Sequence, residues 1–89
     1  MPPQLDLHVW PSDAWPLVAV GYSGYYGPDV ETMGQPFPIP PERLAAHLLW
    51  IGASPSEVAE AVHKISKREP AAIHEVTPSP GYCAWLEGC

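Results

Sequence analysis

The histidines and cysteines are the side chains of this sequence best suited to bind a metal ion. A tetrahedral ion is held by ligands paired at short spacing, such as Cys-x-x-Cys or His-x-x-x-His, because nearby backbone points must grip it. No two of the candidates have such a spacing; they are His8, His47, His63, His74, Cys83 and Cys89. The sequence therefore predicts neither a metal site nor a cofactor.

Nucleophilic catalysis would need a serine or cysteine, a histidine and a carboxylate in a pocket that excludes water. The chain has 89 residues, and a domain of that size has little interior from which to build such a pocket. It contains no Gly-x-Ser-x-Gly motif, P-loop or dinucleotide-binding fingerprint. We therefore expect a protein that is not an enzyme.

Positive charge is scarce and confined to one segment. The formal net charge is −6, and all four basic residues lie within residues 41–69, where four acids balance them. A nucleic-acid-binding surface needs many Lys and Arg side chains to neutralise phosphates, so direct nucleic-acid binding is not expected. The first forty residues have no base, which favours a partner protein with a basic surface through electrostatic steering. Their acids are Asp6, Asp13, Asp29 and Glu31.

Hydropathy gives an expectation for the compartment. The sequence has no run of about 18 apolar residues, so no membrane span is predicted. Its first seven residues have neither the basic region nor the apolar run of a secretory signal. We therefore expect a cytoplasmic protein.

Aromatic side chains give the strongest indication of function. The chain has nine of them, and most lie in predicted loops or at the ends of predicted elements. Tyr and Trp are enriched at binding hot spots because a rigid ring offers a large contact area at little cost in entropy. Tyr25 and Tyr26 lie between glycines, so we expect both rings to be exposed; the alternative for any one ring is a place in the core. The predicted partner-binding residues are Tyr22, Tyr25, Tyr26, Phe37, Asp29, Glu31 and Trp85.

Alternating apolar residues predict short strands. Leu5, Leu7 and Val9 alternate with other side chains, the pattern of a half-buried strand, and residues 15–22 are apolar and rich in residues that favour strands. These two segments would pair as a hairpin, and residues 72–76 would add a third strand. Proline recurs in residues 29–41 and pushes the residue before it to an extended backbone. This segment is therefore predicted to be an extended connector that lies along a groove.

Residues 41–69 predict two helices joined by a short link. Leu44, Leu48 and Ile51 recur at helical spacing, and Gly52 stands where a glycine commonly ends a helix. Ser54 and Glu57 have the spacing of a capping box, so the second helix would begin at Pro55 and reach its limit at Pro70. The elements together predict an α+β fold.

In this fold a short antiparallel β-hairpin or small sheet packs on the two-helix hairpin, with Pro-rich irregular segments. A chain this short has room for one core, so residues 1–89 are predicted to form a single small domain. Residues 1–40 would be the strand and loop region, residues 41–69 the helical hairpin, and residues 70–89 a short strand and a C-terminal tail.

The C-terminal segment leaves several alternatives open. Residues 82–89 are too apolar for a solvated tail, so the segment packs on the domain or belongs to a partner. Cys83 and Cys89 would form a small disulfide loop, remain free thiols, or belong to a core that is modified. In the last case, a C-terminal Cys in a short aromatic segment after a Pro-rich stretch resembles precursors of ribosomally made, post-translationally modified peptides.

We therefore expect a non-enzymatic protein-binding module that acts stoichiometrically as a small inhibitor, adaptor or accessory subunit. A virus-encoded protein acting on a host enzyme is one form of this function. Two alternatives remain open. One is the precursor of a modified peptide with a Cys-containing C-terminal core, and the other is a small structural component of a viral particle.

Overall fold

The computed structural model describes residues 4–23 and 35–85, which have the predicted α+β fold. Four strands form an antiparallel sheet in the spatial order β3-β2-β1-β4. The strands are β1 (Leu5–Trp10), β2 (Leu17–Tyr22), β3 (Phe37–Pro38) and β4 (Ala71–Val76). The helices are α1 (Leu44–Ile51), which follows a 3-10 turn at Pro41–Arg43, α2 (Pro55–Ser66) and α3 (Pro80–Trp85).

The predicted hairpin of β1 and β2 is confirmed. Leu5, Leu7 and Val9 are at most 2% exposed and point to the side of the sheet that carries the helices. Val9 pairs with Val18, so the apolar residues of both strands lie on the same face. The strand β2 begins two residues later than the apolar run, after Pro16, which lacks a backbone donor for the ladder.

The predicted third strand is also confirmed, as β4 beside β1. Leu7 pairs with Ile73 and Leu5 pairs with Val76, so three steps along β4 match two steps along β1. The extra residue makes a β-bulge, and Glu75 has a left-handed backbone with φ 56°. The bulge returns Val76 to the core face, where it is 4% exposed.

The predicted helical hairpin covers the core face of the sheet. Leu44, Leu48 and Ile51 of α1 are buried in one cluster with Val58 and Ala61 of α2 and with the apolar residues of the sheet. This stripe recurs at helical spacing, which is why the sequence pattern revealed it.

Both ends of α2 follow from local sequence. The capping box is present: the Ser54 hydroxyl accepts from the Glu57 amide at 3.3 Å, and the Glu57 carboxylate accepts from the Ser54 amide at 3.3 Å. The helix ends at Ser66, before the predicted limit at Pro70. The ring of Pro70 would clash with the carbonyl of residue 66, and proline disfavours a helical residue before it. The chain leaves the helix through Arg68, at φ 64°.

Two elements differ from the sequence-based expectation. Part of the proline-rich connector pairs with β2 as β3, with Phe37 opposite Val18. The C-terminal segment forms α3, whose Tyr82 is buried, so this segment packs on the domain. A segment of six residues is too short for a helical hydrophobic pattern to be recognised in the sequence. The helix is stabilised by its packing on α1, because so short a helix is not stable by itself. None of the helices in residues 4–23 and 35–85 is long and apolar enough to cross a membrane.

The link after α1 depends on Gly52. Its φ is 135°, and a Cβ placed on it would lie 2.3 Å from the carbonyl oxygen of Thr77. We expect Gly52→Ala to lower the free energy of unfolding by about 1–3 kcal/mol, because strained backbone and a collision with main chain add together. Urea denaturation of the oxidised protein measures the change.

Gly81→Ala is the matched control. A Cβ at Gly81 would make an ordinary contact, 3.5 Å from the indole nitrogen of Trp50, inside α3. Alanine favours a helix over glycine, so this variant should be as stable as the wild type or slightly more stable. Equal stability of both variants would contradict the role assigned to Gly52.

Candidate functional site

The helix α3 is fixed to the end of α1 by Ser79. The Ser79 amide donates to the Ile51 carbonyl at 2.8 Å, and its hydroxyl donates to the Trp50 carbonyl at 2.5 Å. The last carbonyls of a helix have no partner within the helix, so Ser79 satisfies two of those of α1. The same Ser79 oxygen accepts from the Tyr82 amide at 3.2 Å and thus caps α3. One residue therefore begins α3 and attaches it to α1.

This junction builds a surface of aromatic rings, which we call the aromatic surface: Trp50 and Trp85, supported by Tyr82 and bordered by His47. Trp50 meets Tyr82 edge to face at a centroid distance of 5.0 Å and meets Trp85 at 6.0 Å. Trp85 stacks on Tyr82 at 5.7 Å. These geometries are favourable for aromatic pairs, so the two indoles are held by their neighbours in defined orientations.

The two indoles of the aromatic surface are open to solvent although their support is buried. Tyr82 is 5% exposed, whereas Trp50 is 40% exposed and Trp85 is 66% exposed. Leu49, next to Trp50 in α1, is 44% exposed. A cluster of exposed large apolar side chains on a small protein is typical of an interaction site.

The titratable groups at the aromatic surface are uncharged near neutral pH. Burial lowers the pKa of His47 below its ordinary value of 6.5. Burial also raises the pKa of Tyr82 above 10.0, with a smaller contribution from the phenol of Tyr22. The ring pair His47 and Trp50, at 5.7 Å, therefore adds neutral area to the surface.

A second cluster lies on the other face of the sheet, around Asp6. This carboxylate is 5% exposed and accepts from the Ser23 hydroxyl at 2.5 Å and from the Glu75 amide at 3.0 Å. Nδ1 of His74 lies 3.5 Å from its second oxygen, and the His8 ring lies 6.0 Å from that of His74. Asp6 thus ties the β4 bulge to β1 and to the end of β2.

The Asp6 cluster has the residue types of a catalytic triad in a different arrangement. In a triad the imidazole lies between the hydroxyl and the carboxylate, so that it takes the proton from the nucleophile. Here the Ser23 hydroxyl donates directly to the Asp6 carboxylate, and no imidazole lies between the two groups. The arrangement therefore differs from that of a triad, and the carboxylate links Ser23 to the backbone of Glu75.

Burial by itself raises the pKa of Asp6, but the hydrogen bonds from Ser23, Glu75 and His74 outweigh it, so the pKa lies below the ordinary value of 3.8.

No group of three His, Cys, Asp or Glu residues in residues 4–23 and 35–85 is arranged to hold a metal ion. Cys83 is disulfide-bonded, which excludes the free-thiol alternative for this residue; Cys89 lies outside the described residues.

No protein-family model, curated protein or solved structure matches this chain.

The predicted partner-binding residues are only partly brought together. Trp85 belongs to the aromatic surface. Tyr22 is 50% exposed and lies at the same end of the molecule, where its charge contributes to raising the pKa of Tyr82. Phe37 is 66% exposed but pairs with Val18, four residues from Tyr22 along β2 and so roughly 13 Å away at the rise of a strand. The others, Tyr25, Tyr26, Asp29 and Glu31, lie outside the described residues.

Sequence reasoning did not select three residues of the aromatic surface, namely Trp50, Tyr82 and His47. Trp50 is the exposed indole among them. It lies in α1 beside Ile51 and off the buried stripe of Leu44 and Leu48. That offset was the available signal, since a tryptophan outside the apolar stripe of a short helix has no core to enter. The partner ring, Trp85, is 35 residues away in sequence, so spacing alone does not pair them.

The Asp6 cluster predicts a pH dependence of stability. Since the folded pKa of Asp6 lies below 3.8, its contribution is complete above that value and is lost as the pH falls through the folded pKa. Asp6→Asn should lower the free energy of unfolding at neutral pH by on the order of 1–3 kcal/mol, and the difference from the wild type should shrink well below pH 3.8. Urea titrations at both pH values measure it.

Asp13→Asn provides the comparison. The Asp13 side chain is fully exposed and pairs with Arg68 at 3.4 Å, a kind of contact that adds little to stability. We expect no measurable change at either pH. A wild-type advantage over Asp6→Asn that stays constant into acid would contradict the assignment.

Proposed function

We propose that this protein is a non-enzymatic binding module that forms a stoichiometric complex with another protein through the aromatic surface. The observation that carries the proposal is the pair of exposed indoles, Trp50 and Trp85, held in place by the buried ring of Tyr82. Rings fixed before binding lose little entropy in a complex, which is why tryptophan and tyrosine dominate binding hot spots.

The tyrosines that follow β2 in the sequence extend this proposal. Tyr22 lies at the same end of the molecule as Tyr82, and Tyr25 and Tyr26 follow it by three and four residues in the sequence. We include these tyrosines in the binding surface. The function that fits such a surface is that of a small inhibitor, adaptor or accessory subunit.

Charge gives the partner's character. The net charge of −6 favours a partner with a basic surface, since complementary fields accelerate association. Two acids of the first forty residues are poorly placed to attract a basic partner, because Asp6 is buried and Asp13 is paired with Arg68. Steering then comes from the summed charge of the chain and should weaken as salt is added. A cytoplasmic location is part of the same proposal.

The alternative of a modified-peptide precursor is less well supported. A core segment that enzymes modify or cleave should be accessible, whereas Tyr82 is buried and Ser79 is hydrogen-bonded to Trp50 and Ile51. The packing of α3 on α1 therefore favours the binding module.

Replacing Trp85 by Ala tests the role of the aromatic surface. The wild-type chain, used as bait in the proteome of its source organism, should retain a partner at a fixed molar ratio. Trp85→Ala should weaken that complex by about tenfold or more, because truncating a central aromatic anchor commonly costs over 1 kcal/mol. Titration calorimetry with the purified partner measures the affinity.

Trp15→Ala is the matched control. Trp15 is 49% exposed and lies between β1 and β2, at the end of the hairpin opposite to Tyr22. Its loss should leave the affinity unchanged. Equal weakening by both variants, or the absence of any stoichiometric partner, would overturn the proposal. A mass loss beyond that of the Cys83 disulfide, or a cleavage, confined to residues 77–89 of the natural protein would support the precursor instead.

The double variant Tyr25→Ala, Tyr26→Ala tests these two tyrosines separately. We expect it to weaken the complex without changing the thermal unfolding of the chain, because rings that serve a partner contribute little to the isolated fold. Unchanged affinity would remove the two tyrosines from the binding surface, and a lowered unfolding temperature would assign the two rings to the core.

A further inference from the structure

The two edge strands of the sheet, β3 and β4, differ in what they offer to another chain. An edge strand presents backbone amides and carbonyls without partners, and proteins commonly block such edges with proline, charge or short length. The β3 edge is two residues long, whereas β4 is six residues long. The strand pairing shows which backbone groups of each edge strand point away from the sheet.

The hydrogen bonds of β1 show in which direction the backbone amide and carbonyl of each β4 residue point. The Ser23 amide donates to the Gln4 carbonyl at 2.8 Å, so even-numbered residues of β1 direct their backbone groups toward β2. Leu7 therefore faces β4 and pairs with Ile73. Because the direction alternates along a strand, the amides and carbonyls of Ala72 and His74 point away from the sheet.

The same reasoning shows that the β3 edge is closed. Val18 faces β3 and pairs with Phe37, so the neighbouring Pro38 faces outward. Proline has no amide proton and cannot extend a ladder. One edge of the sheet is thus blocked by proline, while residues 71–74 of the other edge contain neither proline nor a Lys, Asp or Glu side chain.

A groove follows the open part of β4. It has a volume of about 310 Å³ and lies between α2, with Glu57, Glu60 and Lys64, and the strand, with Ala72 and His74. Ala72 and His74 are exposed, and the outer backbone groups of both have no hydrogen-bond partner among residues 4–23 and 35–85. The volume is at the lower limit for a small-molecule pocket, but an added strand needs only the roughly 4.8 Å spacing of a sheet.

The charge of the groove selects the occupant. Two carboxylates and one ammonium line its α2 side. The Glu57 carboxylate also accepts from the Ser54 amide, and Lys64 lies 4.0 Å from Glu60 in an exposed pair of the kind that adds little stability. The whole chain carries −6. A second copy of this chain would bring like charges together, whereas a basic segment would find complementary groups.

We propose that β4 binds an extended, proline-free, basic segment of another protein by strand addition at Ala72 and His74. The segment extends the sheet by a fifth strand and places a Lys or Arg side chain near Glu60. Main-chain hydrogen bonds supply most of the affinity in this mode, and side chains at alternate positions supply specificity. The bulge at Glu75 ends the regular edge and limits the pairing to residues 71–74. This site is independent of the aromatic surface.

A short capped peptide of alternating valine and lysine is the probe. Fluorescence anisotropy should detect its binding to the wild-type chain. The same peptide N-methylated at every residue keeps its charge but has no backbone donors, and a version with glutamate in place of lysine has the opposite charge. Both should bind at least about tenfold more weakly. Equal affinity of either would overturn strand addition or the basic preference, respectively.

Ala72→Pro is the decisive variant, with Ala72→Val as its matched control. Proline removes only the outward amide of an edge residue, so peptide affinity should fall about tenfold while β1 pairing remains. Valine keeps the amide and should bind like the wild type. Trp85→Ala should leave peptide binding unchanged. Loss in Trp85→Ala with retention in Ala72→Pro would place the peptide on the aromatic surface and overturn the proposal.

Hydrogen exchange of the wild-type chain decides the question if Ala72→Pro does not fold. Bound peptide should slow exchange of the Ala72 and His74 amides, while those of Ala71 and Ile73, already paired with β1, should not change. Unchanged exchange at Ala72 and His74 with peptide bound would overturn the proposal.

Discussion

The burial of β1 is the constraint on which the rest of this fold depends. Leu7 and Val9 are fully buried, and β1 is paired on both sides, with β2 and with β4. Because side chains alternate between faces, burying Leu5, Leu7 and Val9 against α1 and α2 places Asp6 on the opposite face. Because hydrogen-bond directions alternate too, the same register orients every backbone group of the neighbouring strands. A shift of one residue in the strand register would reverse both the faces of the side chains and the directions of the backbone groups.

Several specific contacts meet at the end of the sheet where Leu5 lies. Leu5 pairs with Tyr22 on one side and Val76 on the other. Just beyond Val76, the chain approaches Gly52 so closely that only glycine fits, and Ser79 then binds the last carbonyls of α1. Asp6 holds the bulge from the opposite face. Together these contacts place Tyr82 under Trp50 and leave two indoles exposed.

The molecule thus has two candidate surfaces of different physical character. The aromatic surface offers rigid rings and neutral neighbours, so its recognition would rest on apolar contact area. The β4 edge offers oriented backbone groups beside two carboxylates, so its recognition would rest on hydrogen bonds and charge. The Asp6 cluster serves neither surface directly; its hydrogen bond to the Glu75 amide fixes the bulge that limits the open edge.

Local sequence determined the α+β class, the strands β1, β2 and β4, the helical hairpin and the capping box at Ser54. Each depends on a period of two, a period of 3.6 or a cap within a few residues, all of which are legible along the chain. Tertiary structure alone decided the placement of Trp50 beside Trp85, the docking of α3, the burial of Asp6 and the outward direction of Ala72. These depend on which strand lies beside which and in what register, and contacts across tens of residues leave no periodic signal in a single sequence.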